Sequence, residues 1–352
     1  MTKTTIQDVA QLARVGVGTV SRVLNNHPSV RAATRQRVLE AIETLGYVPN
    51  PHARRIAGGR SYTVSVLLPM VSAEFYIRLL TAVEETLAAQ RFDTAIFPLM
   101  GRARLERYLE SHTLPYQADG VMMITYDLAS LFQEGKLPTS QPVVLIDARS
   151  DQYDCAFVDN YRGGRIAGNY VAGFEGEVYV LSLEDDPEAL FVSQVFVDRM
   201  RGFREGLAER GGRIERDYLC ALHHQGGVQA ARQLLDRATF PCTVFAAADL
   251  LAVPLMDEVT RRGLRVGQDV RVVGYDNQPW ARDLGLTTVH QPVEEMGERG
   301  AAMLLERLAG FDGPARQVCF EPFLIERASS RPELSKPAAD PLVRSVVAKL
   351  PS

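Results

Sequence analysis

From residue 63 onward, short runs rich in β-branched residues alternate with longer amphipathic stretches, and this alternation constrains the architecture more than any other feature of the sequence. Residues 63–68, 94–99, 120–125, 143–147, 178–183, 243–248, 270–275 and 286–290 read as strands, and 74–90, 161–172, 199–210, 227–237 and 251–262 as helices. Strands separated by helices pair in parallel, because a parallel neighbour needs a crossover connection, and the crossovers cover both faces of the sheet. This many strands are better served by two sheets than by one. The expected fold is α/β, with two lobes of doubly wound parallel sheet and a default ligand site in the cleft at the carboxyl ends of the strands.

The first sixty residues carry a different charge from the rest. Lys3, Arg14, Arg22, Arg31, Arg35, Arg37, Arg54, Arg55 and Arg60 face only Asp8, Glu40 and Glu43, a net charge of +6, and since the whole chain has a formal charge of −4 the remainder carries −10. A basic head on an acidic body implies that the head alone meets a polyanion, because phosphate neutralisation supplies most nucleic-acid affinity. A solvated charged face is the alternative reading of the charge taken by itself.

The head also has a readable local structure. Thr5-Ile6-Gln7-Asp8 fits a capping box, in which the threonine hydroxyl accepts from the backbone near Asp8 and starts a helix with Ile6, Val9, Ala10 and Ala13 on one face. A break at Arg14-Val15-Gly16 precedes a second helix from Val17 to Leu24, with Val20 and Val23 facing inward, and Asn25-Asn26-His27-Pro28 ends it. A third helix from Ala32 to Leu45 places Val38, Leu39, Ile42 and Leu45 at helical spacing, with Gly46 as its C-terminal stop. Two short helices joined by a three-residue turn and buttressed by a third predict a helix-turn-helix domain. The second helix then points its N-terminal end at a major groove. Val17, Gly18 and Arg22 face outward, Thr19 and Ser21 stand near phosphates, and Arg22 can bond bidentately to a guanine, worth ~1–3 kcal/mol of discrimination. A plain three-helix bundle with an exposed arginine is the competing reading.

The run Thr5-Ile6-x-Asp8-Val9-Ala10-x-x-Ala13-x-Val15, followed by Thr19-Val20-Ser21-Arg22-Val23-Leu24-Asn25, Val30, Thr34-Arg35-x-x-Val38, Leu45-Gly46-Tyr47-x-Pro49-Asn50 and Ala53, resembles without a gap the DNA-binding head of the lactose/galactose-repressor (LacI-type) family. The resemblance implies DNA contacts from Thr5, Val17, Gly18, Thr19, Ser21, Arg22 and Asn25. It also implies that residues 50–58 form a hinge helix on the operator, with Asn50, Ala53, Arg54 and Arg55 at the DNA and Ile56 wedged into the central minor groove. By itself that stretch reads as a basic linker. Two residues depart from the family pattern: Arg14 stands where a glycine usually absorbs a left-handed conformation, and Gly16 stands where a serine is usual.

A looser resemblance covers residues 61–331. Its landmarks are Val158-Asp159-Asn160 with Gly163-Gly164, Arg199-x-x-Gly202-Phe203, Thr243-Val244-Phe245-Ala246, Asp269-Val270-x-Val272-Val273-Gly274-Tyr275-Asp276-Asn277, and Leu286-Thr287-Thr288-Val289-x-Gln291-Pro292. These are similar to the periplasmic-binding-protein-like effector core of the same family, whose ligands are usually sugars or related metabolites. The implied organisation is a head at 1–49, a hinge at 50–60, a core at 61–335 and a tail at 336–352. Within the core, one lobe takes 61–160 and 291–320, the other 161–290 and 321–335. Carried over by position, Phe75 stacks on the effector, Asp147, Arg199 and Asp276 bind its polar groups, and Gln291 stands nearby. Each also has a plain structural reading, as strand-end cap, core aromatic or surface ion pair. Glu74 and Ala248 depart from the family, adding a charge at the cleft mouth and removing a side-chain amide.

Other classes find less in the chain. Its 4 cysteines show no C-x-x-C, the N-terminus has no apolar leader, and no apolar run approaches the length of a membrane helix, so a soluble cytoplasmic protein is expected. The histidines are isolated apart from His223-His224, and no nucleophile elbow or phosphate-binding loop occurs, so neither enzyme, metal nor cofactor is expected. The expected function is a homodimeric, ligand-responsive repressor of a sugar or small-metabolite operon, binding a pseudo-palindromic double-stranded operator. The alternative is a solute-binding receptor without DNA function. Leu342, Val346 and Leu350 give the tail one short helical stripe, less than tetramer-forming heptads need.

Overall fold

A computed structural model describes residues 4–24, 29–47, 60–71, 73–99, 118–183, 194–221 and 223–334. The chain divides into two compact units, the head and the core.

In the head, helices α1 (Ile6–Ala13), α2 (Val17–Leu24) and α3 (Ala32–Leu45) enclose Val9, Ala10, Ala13, Val20, Val23, Val38, Ala41 and Tyr47. The Thr5 capping box forms in full, with the Asp8 amide donating to Thr5 Oγ1 and the Thr5 amide donating to Asp8 Oδ2 at 2.8 Å. The Thr5 hydroxyl, donating to Asp8 Oδ2 at 2.7 Å, and then the Thr5 amide lower the Asp8 carboxyl below its ordinary range. The turn between α1 and α2 runs through Arg14 at φ 53° and ψ 50°, a left-handed conformation that costs any residue with a Cβ. Gly46 ends α3 in the same region without that cost. One apolar expectation fails: Leu39 is 47% exposed, because the buried stripe of α3 runs through Val38 and Ala41, and Leu39 lies a further 100° round the helix from Val38.

The core follows in the order β1 (Thr63–Leu68), α4 (Glu74–Ala89), β2 (Asp93–Pro98), β3 (Gly120–Ile124), α5 (Leu128–Leu131), β4 (Val143–Ile146), β5 (Asp154–Val158), α6 (Asn160–Val171), β6 (Glu177–Leu183), α7 (Gln194–Ala208), β7 (Ile214–Cys220), α8 (His224–Leu235), β8 (Cys242–Ala246), α9 (Asp249–Arg261), β9 (Val270–Asp276), β10 (Thr287–His290), α10 (Val293–Leu308), β11 (Gln317–Phe320) and β12 (Phe323–Ile325). The strands form two six-stranded sheets, ordered β11-β5-β4-β3-β1-β2 and β12-β10-β9-β8-β6-β7. Every pairing is parallel except β10 with β12. Central strands are buried on both faces. In β1, Val64, Val66 and Leu68 pack into one core cluster and Leu67 into that of the opposite face.

The two doubly wound sheets are those the alternation predicts, but four strands and two helices escape it. β5, β7, β11, β12, the four-residue α5 and α10 lie outside the predicted set, and the sequences of the strands say why. β7 reads Ile-Glu-Arg-Asp-Tyr-Leu-Cys on a sheet edge with its charged residues turned outward, and β11 and β12 are four- and three-residue edge strands. β5 opens on Asp154, whose buried carboxylate is held by Arg307 at 2.8 Å and Arg316 at 2.7 Å, contacts no local pattern announces. β3 and β4 stop one residue short of prediction, because Thr125 and Asp147 leave the extended region at φ 65° and 55°, and β2 and β8 stop at Pro98 and Ala246, short of 99 and 248.

Candidate functional site

On the head, Val17 is 42% exposed at the start of α2, and Gly18 and Arg22 are exposed with it. Thr19 and Ser21 are half-buried beside the buried Val20 and Val23. The face presented is small, with one arginine available for a base edge. The remaining head and hinge candidates, Asn25, Asn50, Ala53, Arg54, Arg55 and Ile56, lie outside the described residues, as does the tail.

In the core, a cavity of about 110 Å³ opens at the carboxyl ends of the strands of both sheets. Phe75, Asp147, Arg199, Asp276 and Gln291 all line it. Asp147 directly follows β4, β9 ends in Asp276 and Gln291 follows β10, so three of the five are delivered by strand ends. Backbone strain collects at the same place: Thr125, Asp147, Asp276 and Asn277 all have positive φ, of 65°, 55°, 118° and 50°. Non-glycine residues hold such conformations only where the surrounding structure fixes them, and they cluster at binding sites.

Arg199 arrives by a different route. Helices α6 and α7 approach so closely that a Cβ on Gly164 would stand 2.0 Å from the Arg199 carbonyl oxygen, and one on Gly202 1.9 Å from that of Tyr161. This glycine-lined contact brings the guanidinium to Asn160, whose Oδ1 accepts from Nε at 3.1 Å and from Nη2 at 2.9 Å. Nη1 donates to the Ala247 carbonyl and lies 3.6 Å from Asp276 Oδ1, while the guanidinium carbon sits 3.5 Å from the centroid of the Tyr275 ring. Gln291 Nε2 donates to Asp276 Oδ1 at 2.7 Å. The Arg199 side chain is buried, and each of its three nitrogens donates a hydrogen bond.

The carboxyls carry the cost of that burial. Asp147 accepts from Thr125 Oγ1 at 3.1 Å, yet burial pushes it up to about 7, against the opposing pull of Thr125 and Arg199. Burial raises Asp276 as well, with Arg199, Gln291 and Arg78 working the other way. Behind them Asp249, at the start of α9, accepts from Thr288 Oγ1 at 2.7 Å and from the Gln278 amide at 2.9 Å, and burial followed by the Asp276 charge pushes it to about 8.

Several wall residues carried no signal in the sequence. Tyr76, Thr125, Phe196, His223, Leu250, Gln278 and Trp280 join the cavity through tertiary placement. Trp280, the only tryptophan, offered one cue, since it follows the Asp276-Asn277 landmark within four residues. Phe75 stands edge-on to Tyr76, with ring centroids 5.2 Å apart. A second cavity of about 240 Å³ shares Thr125, Asp147 and Val195 with the first. Among the described residues no group of three or more His, Cys, Asp or Glu is placed to hold a metal ion, and no helix is long and apolar enough to cross a membrane.

Residues 5–50 match the model of the bacterial regulatory proteins of the lacI family, and residues 180–330 match the periplasmic binding protein-like domain. The chain is 31% identical over 341 residues to the helix-turn-helix-type transcriptional regulator CelR of Thermobifida fusca, an alignment that covers 92% of this chain and 98% of that one. Among solved structures, a probable transcription regulator from Thermus thermophilus shares 44% identity over 78% of this chain and all of its own, with a TM-score of 0.66. The complex of a transcriptional regulator CelR with cellobiose shares 29% identity, covers 93% of this chain and 100% of that chain, and has a TM-score of 0.63. With the head and the cavity-bearing core present together, the chain belongs to the lacI family of bacterial regulatory proteins and is a ligand-responsive, DNA-binding transcription regulator.

Proposed function

We propose that this regulator is a cytoplasmic homodimeric repressor without enzymatic activity, which binds a pseudo-palindromic operator and releases or tightens it when a sugar or related small metabolite enters the core cavity. The head at 1–49 reads the major groove through Arg22, Val17, Gly18 and Thr19, with Thr5, Ser21 and Asn25 at the backbone. The hinge at 50–60 brings Asn50, Ala53, Arg54, Arg55 and Ile56 to the minor groove. The core at 61–335, with lobes 61–160 plus 291–320 and 161–290 plus 321–335, holds the effector through Phe75, Asp147, Arg199, Asp276 and Gln291. The observation that carries the effector site is the convergence of buried Asp147, Arg199, Asp276 and Gln291 on one cavity at the strand ends. A coupling of ~1–3 kcal/mol between the two sites is ordinary for such a switch.

Selection of DNA from a random pool by the full-length chain, with an Arg22→Ala control, tests the reading. Enrichment of a palindrome that the control loses supports it, and a half-site bound by strictly monomeric protein removes the dimer. Asp276→Ala should keep operator binding and lose the effector response. A full response in that variant takes Asp276 out of the site.

A further inference from the structure

Granted that the cavity is the effector site, two imbalances in its wall bear on the chemical class of its ligand. The first is charge. Asp147 and Asp276 are buried there and Glu74 lines the same wall, against one guanidinium, Arg199, already engaged by Asn160, the Ala247 carbonyl and Asp276, and two imidazoles, His224 and His223, the latter accepting at Nδ1 from the Gly226 amide. A buried carboxylate without a counter-ion is costly, and a ligand cation offsets that cost.

The second imbalance is in hydrogen bonding. Asp147 Oδ1, Gln278 Oε1 and Gln291 Oε1 are buried acceptors without a partner among the described residues, and all three residues line the cavity. The Gln291 amide cannot turn to offer a donor instead without losing its 2.7 Å bond to Asp276. Thr125 spends its hydroxyl hydrogen on Asp147, and Ala248 brings no polar side-chain group. Each hydroxyl of a neutral polyol brings lone pairs that need donors as well as a hydrogen to give. An ammonium brings three donors and no acceptor, which matches these three unmet oxygens. Phe75, Phe196 and Trp280 supply flat surface for a ring and favourable faces for a nearby cation.

We propose that the effector carries a protonated primary amine on a ring-sized body, with Asp147 as its counter-ion and the oxygens of Gln291 and Gln278 as its further acceptors. Titration calorimetry on the full-length chain, with Trp280 fluorescence as a second readout, compares D-glucosamine with D-glucose, D-galactosamine with D-galactose, and 2-phenylethylamine with 2-phenylethanol. At least one amine should bind tenfold or more tightly than its hydroxyl twin, on the order expected of a desolvated charge pair. Asp147→Asn should erase that preference, costing the amine at least tenfold more affinity than its hydroxyl twin. The wild-type comparison stands even where the variant does not fold. Equal or tighter binding of the hydroxyl twins, a preference that survives Asp147→Asn, or silence from all three amines overturns the ammonium. Equal binding with a Trp280 response leaves the effector site itself standing, whereas binding unchanged in Asp276→Ala removes the site.

Discussion

Replacing Arg199 with methionine keeps much of the side chain's length and removes the guanidinium that organises the cavity. Asn160 Oδ1 and the Ala247 carbonyl then lose their donors, at ~1–3 kcal/mol for each buried group left unsatisfied. Asp276 loses the cation 3.6 Å away, and breaking a buried ion pair costs ~3–5 kcal/mol. These costs overlap, because one relaxation can serve several groups, so the expected loss is ~3–5 kcal/mol rather than the sum. Equilibrium urea unfolding of the full-length chain, followed by far-UV circular dichroism and Trp280 fluorescence, measures it. The pH dependence gives a sharper check. Burial already raises Asp276 above its ordinary 3.8, and losing Arg199 raises it further. Between the ordinary value and the raised one the native state holds a proton that the unfolded chain has released, so stability falls as pH rises. The variant's deficit should therefore be larger at about pH 8 than at about pH 5, with the other charges facing Asp276, those of Arg78, Asp147 and Asp249, common to both proteins. A deficit below ~1 kcal/mol, or one equal at both pH values, would refute the account of Arg199 as the group that holds Asp276 and the Ala247 strand end in place.

Arg14→Gly should raise the melting temperature of the head, since the left-handed turn costs arginine ~1–2 kcal/mol and glycine recovers all but its greater unfolded-state freedom; an unchanged or lower value counts against that turn. Asp154→Ala should destabilise the core by ~3–5 kcal/mol, because Arg307 and Arg316 are left without the carboxylate they share, and a urea midpoint like that of the parent would show the pair to be dispensable. Gly164→Ala places a methyl group against the Arg199 carbonyl oxygen, so α6 and α7 must part; the expected cost is ~1–3 kcal/mol or more, together with weaker effector binding, and a variant with parental stability and affinity would show that the contact is slack.

Much of this protein can be read along the chain because its signals are local. The Thr5 capping box, the break at Arg14 and the stop at Gly46 each depend on residues within one or two turns, and they delimit the helices of the head. Likewise the buried parallel strands of the core are written as continuous apolar runs, since a strand covered on both faces needs little else. The cavity itself is less legible. Asp147 and Asp276 stand at strand ends, where the fold class already directs attention, but Phe196, Gln278 and Trp280 have no periodicity that distinguishes them from packing residues.

What the sequence by itself determined is therefore the helices of the head and most central elements of the core, the basic head and the class of sheet. Tertiary structure alone decided that α6 and α7 close to backbone contact over Gly164 and Gly202, that Arg199 donates to Asn160 and Ala247, and that Asp154 of β5 joins Arg307 and Arg316 from more than 150 residues away. Local patterns record which face of an element is apolar. Charge balance and hydrogen-bond satisfaction in a cavity depend on which distant strand ends and helices meet there, and that is settled only when the chain has packed.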